Sequence, residues 1–435
     1  MIIGSLLFHG WEIQDVQSPF SILAKVASKT GENHQFIEIG ENLNTAYESS
    51  AHFPIYPTVD YQSCPKLDVL LIPGGLGTML EFTNQKTIDF IKSQSHNVKY
   101  MVSVCTGSSL LATAGLLDHL NATTNKGAFE YQTKFGKLTN WIWNARWVTE
   151  GKTITASGVS AGQDMGFHLA QRLWDEALVK SVLNDLNYKP LDSNDDPYSK
   201  ILSPKMSDED MARRVNFEKN AKELVPIVAF EGSLPTYNGV PKKGLISVLL
   251  LDGFDSLDVA GISETIAGLT KEYQIELLTI NENMVVNGGD SNGIFNDFIK
   301  VKADRVLNAK NPFPNGVPSF LYIPSVQDTR SFSLPVVSNL FNLLYQQPNR
   351  IEYVLTCGTI LKNHVTLNYN LSNQDWGNLG WFQAKNLYFA QTGIHGIKAS
   401  LMILSKMVNQ KYVQDISLRM EIDPTLVPSN STKPQ

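Results

Sequence analysis

Three places in this 435-residue sequence carry residues whose types and spacing suit chemistry. The first is Cys105. It ends the apolar run Tyr100-Met101-Val102-Ser103-Val104 and precedes Thr106-Gly107-Ser108-Ser109-Leu110-Leu111-Ala112, which reads as a helix start. A strand, one residue and then a helix is the layout of a nucleophile elbow. Unpaired N–H groups and a partial positive charge at the helix head favour thiolate, so a lowered thiol pKa is expected. The competing reading is a buried structural cysteine. The second place is Asp15, in Ile13-Gln14-Asp15-Val16, seven residues past the first apolar run. If the first and fourth strands are neighbours, its carboxyl reaches the Cys105 sulfur and can donate or relay a proton. The plainer reading is a cap on a helix starting near Ser18 or Pro19. The third is Gly74-Gly75, after Val69-Leu70-Leu71-Ile72-Pro73. Their N–H groups suit a developing anion, and an ordinary tight turn is the alternative.

The elements that must position these residues alternate. Strands are expected at Ile3–Phe8, Gln35–Ile39, Val69–Ile72, Lys99–Val104 and Thr153–Ala156. Helices are expected at Pro19–Ser28, Thr83–Gln94, Ser108–Ala114, Gly127–Phe135 and Ala161–Trp174. Short apolar strands alternating with amphipathic helices indicate a mainly parallel sheet covered on both faces, with ligands at the carboxyl ends of its strands. The chain also echoes itself. Ile3 to Val16 matches Ile246 to Val259 at an offset of 243, pairing Gly10 with Gly253 and Asp15 with Asp258. A second echo, at 251, sets Leu70-Leu71-Ile72-Pro73 against Phe320-Leu321-Tyr322-Ile323-Pro324, Thr78 against Thr329 and Gly107 against Gly358. Two copies of one domain follow, at 1–185 and 243–415. Between them, 186–242 is a charged connector holding six of the twenty prolines, with one short helix opened by Ser207 and Asp210. Residues 416–435 form a polar tail.

Composition removes several function classes. Lysine and arginine number 36 and aspartate and glutamate 42, a net charge of −6, so no basic footprint for nucleic acid is present. No apolar run approaches the length of a membrane helix, and the start reads as a strand rather than a signal peptide. Three cysteines, Cys64, Cys105 and Cys357, argue for a reducing, cytoplasmic setting. The sequons at Asn121, Asn370 and Asn430 weigh little against that. Walker A and G-x-G-x-x-G patterns are absent. None of the eight histidines pairs with a His or Cys at metal-ligand spacing, and Trp141, Trp143 and Trp147 read as packing.

Taken together, Val104-Cys105-Thr106-Gly107, Ile72-Pro73-Gly74-Gly75, Ala122-Thr123-Thr124 and Ser157-Gly158-Val159-Ser160-Ala161-Gly162 resemble the ThiJ/PfpI superfamily. The likeness covers residues 1–180 and is nearest to isonitrile hydratases and their fungal relatives. It implies two tandem flavodoxin-like α/β sandwich domains with a class I glutamine amidotransferase-like layout. It also implies Cys105 as nucleophile, Asp15 as acid or base, Thr106 as a needed neighbour, and Gly74 and Gly75 as the oxyanion-side backbone. No metal or organic cofactor is required. The leading expectation is hydration of a small electrophilic carbon, most simply isonitrile to N-formamide. Asn125 stands where related sequences often carry histidine, which counts against a glyoxalase- or deglycase-like enzyme needing a Cys-His pair. A third reading is a binding protein whose Cys105 is oxidised in stress. The second copy looks degenerate. Ser325 and Val326 replace Gly74 and Gly75, and the elbow position falls on Thr356, or on Gly358 if Tyr353 is set against Tyr100. The expected partner is a small electrophile, with no nucleic acid and no membrane. The expected assembly is a monomer whose two copies form a built-in pseudo-dimer.

Overall fold

A computed structural model describes residues 1–51, 53–205, 208, 211–212, 243–267, 269, 272–289, 299–308, 312–313, 315–326, 334–347, 350–358, 362, 381–384 and 386–421. The expected helix at Ser207 and Asp210, Thr329, the sequons at Asn370 and Asn430 and residues 422–435 of the expected polar tail lie outside them; its described part is no polar tail, because a helix over Gln410–Arg419 runs into it and Ile416, Ser417, Met420 and Glu421 are buried. The chain divides into two compact units. Met1–Glu231 with Leu418–Ile422 forms the first, and Gly232–Ser417 with Asp423–Gln435 the second.

The first unit is built on a seven-stranded sheet. Its strands are β1 (Ile2–Leu6), β2 (Gln35–Gly40), β3 (Val59–Asp60), β4 (Val69–Ile72), β5 (Tyr100–Val104), β6 (Trp147–Glu150) and β7 (Thr153–Ala156). Their spatial order is β6-β7-β5-β4-β1-β2-β3. All neighbours are parallel except β6 and β7. This is the flavodoxin-like order, in which β2 lies outside β1 and β4, β5 and β7 follow on the other side, with the two-residue β3 extending the β2 edge. Every residue of β4 and β7 is buried, the near-continuous apolar pattern of strands covered on both faces. Burying each large aliphatic side chain contributes about 1.5–3 kcal/mol.

The expected strands agree with these to within two residues. The helices differ more. α1 spans Ile13–Ala27, not Pro19–Ser28, so Pro19 lies inside it and Asp15 in its first turn. Proline is favoured at a helix start, which drew the expected boundary to it. Here a mid-helix proline, normally costing about 3 kcal/mol, is tolerated because every residue of α1 is buried. The remaining helices of this unit used below are α2 (Gln85–Ser95), α3 (Gly107–Thr113) and α4 (Val159–Leu173). The expected helix Gly127–Phe135 is broken into three short turns, Lys126–Ala128, Phe129–Gln132 and Thr133–Phe135. No helix among the described residues is long and apolar enough to cross a membrane.

The second unit carries its own sheet. Its strands are β8 (Gly244–Leu250), β9 (Tyr273–Thr279), β10 (Arg305–Val306), β11 (Phe320–Ile323), β12 (Tyr353–Cys357), β13 (Trp381–Ala384) and β14 (Leu387–Ala390). The order is β10-β9-β8-β11-β12-β14-β13, which read backwards is the order of the first sheet, again with one antiparallel edge pair. α5 (Ser256–Ala267) occupies the place of α1, and Asp258 lies in its first turn as Asp15 lies in that of α1.

Candidate active site

Cys105 follows β5 and precedes α3, as the elbow pattern requires. Its φ is +57°, a left-handed conformation rare for a residue with a side chain. Such a position costs on the order of 1–3 kcal/mol and persists only where its surroundings hold it. Three bonds do so. The Cys105 N–H donates to the Ala156 carbonyl at 3.0 Å. The Cys105 carbonyl accepts from the hydroxyls of Thr124 at 3.1 Å and Ser108 at 3.2 Å.

The sequence placed Asp15 near Cys105 on the condition that the first and fourth strands adjoin. They do not, because β4 lies between β1 and β5. The link runs instead through the residues after β4. The Gly74 N–H donates to Asp15 Oδ2 at 2.8 Å, and the Gly74 carbonyl accepts from the Glu12 N–H at 2.9 Å. The head of α1 therefore grips the Gly74 peptide from both sides. A Cβ on Gly74 would fall 2.5 Å from the Thr106 nitrogen and 2.8 Å from the Cys105 Cβ, so only glycine lets this peptide lie against the elbow. Gly75 takes φ +107°, and a Cβ there would sit 2.3 Å from the Gly10 carbonyl oxygen. Its N–H donates to the Thr106 hydroxyl at 3.0 Å. The Thr106 hydroxyl also bonds the Gly75 carbonyl at 3.2 Å and receives Thr78 at 3.3 Å. The expectation that both glycine N–H groups face a developing anion is thereby corrected. They are engaged by Asp15 and Thr106, and they set the positions of those two side chains.

The electrostatic expectation for the thiol is reversed as well. Burial pushes the Cys105 thiol well above its ordinary range, and the charges of Asp15, Glu12 and Glu421 push it further. The Thr106 N–H pulls the other way and is outweighed. A seven-residue helix offers one nearby N–H against a dry site and three carboxyl groups. Burial and these carboxyl groups favour the protonated thiol over the thiolate. That arrangement suits a proton that leaves sulfur only as a bond to substrate forms.

The structure places Cys105, Asp15, Thr106, Gly74 and Gly75, the residues singled out in the sequence, close together. Sequence reasoning missed Glu12 and Glu421. Glu12 stands at the N-cap position of α1, its carboxyl receiving the Ser50 hydroxyl at 3.1 Å, and it was hidden by the misplaced helix start. Glu421 lies 295 residues from the Lys126 N–H that faces it, and no local pattern points to it. A buried charge cluster was also missed. Arg146 Nε meets Asp164 Oδ2 at 2.7 Å, and Asp164 Oδ1 accepts from the Tyr188 hydroxyl at 2.6 Å. Lys126 Nζ lies 3.6 Å from Asp196. Asn125 precedes the turn Lys126–Ala128 and brings no imidazole. Among the described residues no group of three or more His, Cys, Asp or Glu could hold a metal ion. Two surface clefts, one including Tyr100 and Arg172, the other Arg350 and Asn386, open at the amino ends of strands, away from Cys105.

In the second unit, Gly358 holds the elbow position. It follows β12, has φ +89°, and donates its N–H to the Ala390 carbonyl at 2.9 Å, as Cys105 does to Ala156. The offset that placed Thr356 against Cys105 is therefore wrong by two residues, and setting Tyr353 against Tyr100 is right. Cys357 is the last residue of β12, buried with its sulfur 3.3 Å from the Tyr322 hydroxyl. Asp258 keeps the contact of Asp15, accepting the Ser325 N–H at 2.7 Å, but it also takes the Ser325 hydroxyl at 2.5 Å. A Cβ on Gly358 would lie 2.5 Å from the Ser325 Cβ, so serine fills the room a nucleophile would need.

Residues 3–172 match the model of the DJ-1/PfpI family. Isonitrile hydratase of Pseudomonas putida is 33% identical over 188 residues, 43% of this chain and 78% of that protein. The HTH-type transcriptional regulator GbdR of Pseudomonas aeruginosa (strain UCBPP-PA14) is 25% identical over 143 residues, 33% of this chain and 38% of that protein. Among solved structures, a ThiJ/PfpI family protein from Pseudomonas syringae is 26% identical, covers 51% of this chain and 86% of that one, and superposes with a TM-score of 0.41.

Proposed function

The chain belongs to the DJ-1/PfpI family, and on that basis we propose that its first unit is a cofactor-independent hydro-lyase that adds water to isonitriles. The observation that carries the reading is the pairing at the elbow. A cysteine in a left-handed conformation stands beside an aspartate that α1 and the Gly74 peptide hold in place, and Asn125 stands where a Cys-His enzyme would place its base. In the cycle proposed, the Cys105 sulfur bonds the terminal carbon of R–N≡C while the thiol proton, carried by Asp15, goes to the same carbon. The product is the thioimidate R–N=CH–S–Cys105. Water then adds to that carbon, one of its protons going to nitrogen. The adduct R–NH–CH(OH)–S–Cys105 releases R–NH–CHO, and the hydroxyl proton returns to sulfur. One isonitrile and one water give one N-formamide. Thr106 fixes the Gly75 peptide behind the elbow through its hydroxyl.

The raised thiol pKa speaks against the reading of Cys105 as an oxidation sensor, since sensor cysteines are readily ionised and accessible. The match to a transcriptional regulator raises DNA as a partner, but a net charge of −6 is not the basic balance of a nucleic-acid binder, and a small uncharged electrophile is the partner proposed. The shared strand order supports reading the units as copies, 1–185 and 243–415, of which the second has lost its site. The whole chain is proposed to be a monomer, so light scattering should give a mass near 48.3 kDa. The test of activity is formamide production from small alkyl isonitriles, followed by NMR. Cys105→Ala should abolish it and Cys357→Ala should not. Equal turnover by wild type and Cys105→Ala would sink the proposal.

A further inference from the structure

The first unit holds a carboxylate beside Cys105 that the hydration cycle does not use. Leu418–Ile422 belongs to this unit. Glu421 is buried, with φ +53°, another left-handed position that its surroundings must hold. Its Oε2 accepts from the Ser157 hydroxyl at 3.0 Å, and Oε1 faces the Lys126 backbone N–H at 3.4 Å. A Cβ on Gly158 would fall 2.3 Å from its carboxyl carbon, so the carboxylate lies on bare backbone that a side chain would fill. Gly158 leads into the 15-residue α4, whose head favours an anion. The Ser160 hydroxyl and N–H bind the carbonyls of Glu421 and Met420 and fix the segment. Burial and the charge of Asp196 raise the Glu421 carboxyl, and Lys126, tied to the Thr123 hydroxyl at 3.1 Å and the Ala145 carbonyl at 2.8 Å, and Arg146 counter them.

We propose that this seat is a carboxylate-binding subsite beside Cys105, and that the chain fills it with its own Glu421, which restricts Cys105 to uncharged electrophiles. The inference rests on the reading of Cys105 as the nucleophile. The seat has what a small carboxylate needs: a hydroxyl donor, a backbone donor, a glycine floor, a helix head and two nearby cations. Filled, its Ser157 and Lys126 backbone donors are taken by Glu421, and an incoming anion meets like charge. The seat adjoins the elbow: Ala156, which accepts the Cys105 N–H at 3.0 Å, precedes Ser157, and Thr124, which donates to the Cys105 carbonyl at 3.1 Å, lies two residues before Lys126. In a buried site the charge of Glu421 is weakly screened.

The experiment compares alkylation of Cys105 by iodoacetamide, which is neutral, and iodoacetate, which is an anion. Each forms the S–C bond from the thiolate and releases iodide. Rates on the full chain are read by peptide mapping. Wild type should favour iodoacetamide over iodoacetate more strongly than glutathione does, by about tenfold, the effect of one weakly screened like charge. Glu421→Ala should erase that excess, and millimolar formate should restore it by refilling the seat. A wild-type preference no greater than that of glutathione, an unchanged preference in Glu421→Ala, or no response of that variant to formate would each overturn the proposal. Should Glu421→Ala not fold, Glu421→Gln keeps the shape and removes the charge. It should move the pH profile of Cys105 alkylation to lower pH, and an unmoved profile would overturn the proposal too. These readouts do not involve isonitrile, so failure of the hydratase reading and failure of the subsite are distinguishable.

Discussion

Replacing Glu38 by Gln should free the first unit of a pH penalty. Glu38 sits on β2, fully buried, opposite Ser5 of β1. The Ser5 hydroxyl and Gln17 Nε2, the latter at 2.8 Å, both donate to its carboxyl. Burial nevertheless pushes that carboxyl from 4.5 up to about 7, against the pull of those two bonds. The folded chain therefore keeps a proton that the unfolded chain has released between pH 4.5 and 7. Stability from this group is complete below about pH 4.5, falls as pH rises through 7, and is level above that. At about 1.4 kcal/mol per pH unit the loss is about 3 kcal/mol. Glutamine keeps the shape, accepts from Gln17 through its oxygen and donates to Ser5 through its nitrogen. Urea unfolding followed by tryptophan fluorescence at pH 5, 6, 7 and 8 should show Glu38→Gln about 1 kcal/mol more stable than wild type at pH 5 and about 3 kcal/mol more stable at pH 8. Gln17 lies two residues beyond Asp15 on α1, so the Glu38 carboxyl is hydrogen-bonded to the helix that carries Asp15. Parallel pH slopes in the two proteins, or a variant less stable at every pH, would refute this account of Glu38.

Two further predictions concern the elbow. Asp15→Asn should cut formamide production by about 10²–10⁴, the usual cost of one acid or base group. The same variant should shift the pH profile of Cys105 alkylation to lower pH, because Asp15 helps hold the thiol proton on, and an upward shift would show that it does not. Gly74→Ala should lose activity and about 1–3 kcal/mol of stability, since its Cβ must displace either the Thr106 backbone or the Cys105 side chain. Wild-type melting and turnover in that variant would show that the close approach is not needed.

The parts of the structure that were legible in sequence are those set by local pattern. The buried strands Val69–Ile72 and Thr153–Ala156 were bounded by turn residues and read to the residue. Cys105 was found because a strand end, one residue and a helix head follow each other directly. The start of α1 was misread because Pro19 is a strong local signal for a helix start, and tertiary burial overrode it. The ionisation of Cys105 was misread because the helix head is a local feature, whereas the carboxyl groups opposing it come from the head of α1 and from Glu421. The glycine N–H groups were misassigned because their partners, Asp15 and Thr106, are 59 and 31 residues away. In the second unit the register was ambiguous until Gly358 could be recognised by its positive φ, which sequence alone does not display.

The central claim is that the Cys105 sulfur bonds the isonitrile carbon and that Asp15 moves the proton. It is tested most directly by intact-mass analysis of the full chain quenched during turnover of a small alkyl isonitrile. The account predicts a species heavier by the whole isonitrile, mapped to the peptide containing Cys105, formed more slowly in Asp15→Asn and absent in Cys105→Ala. Formamide released at the wild-type rate by Cys105→Ala, or an adduct carried by Cys64 or Cys357 in place of Cys105, would contradict it.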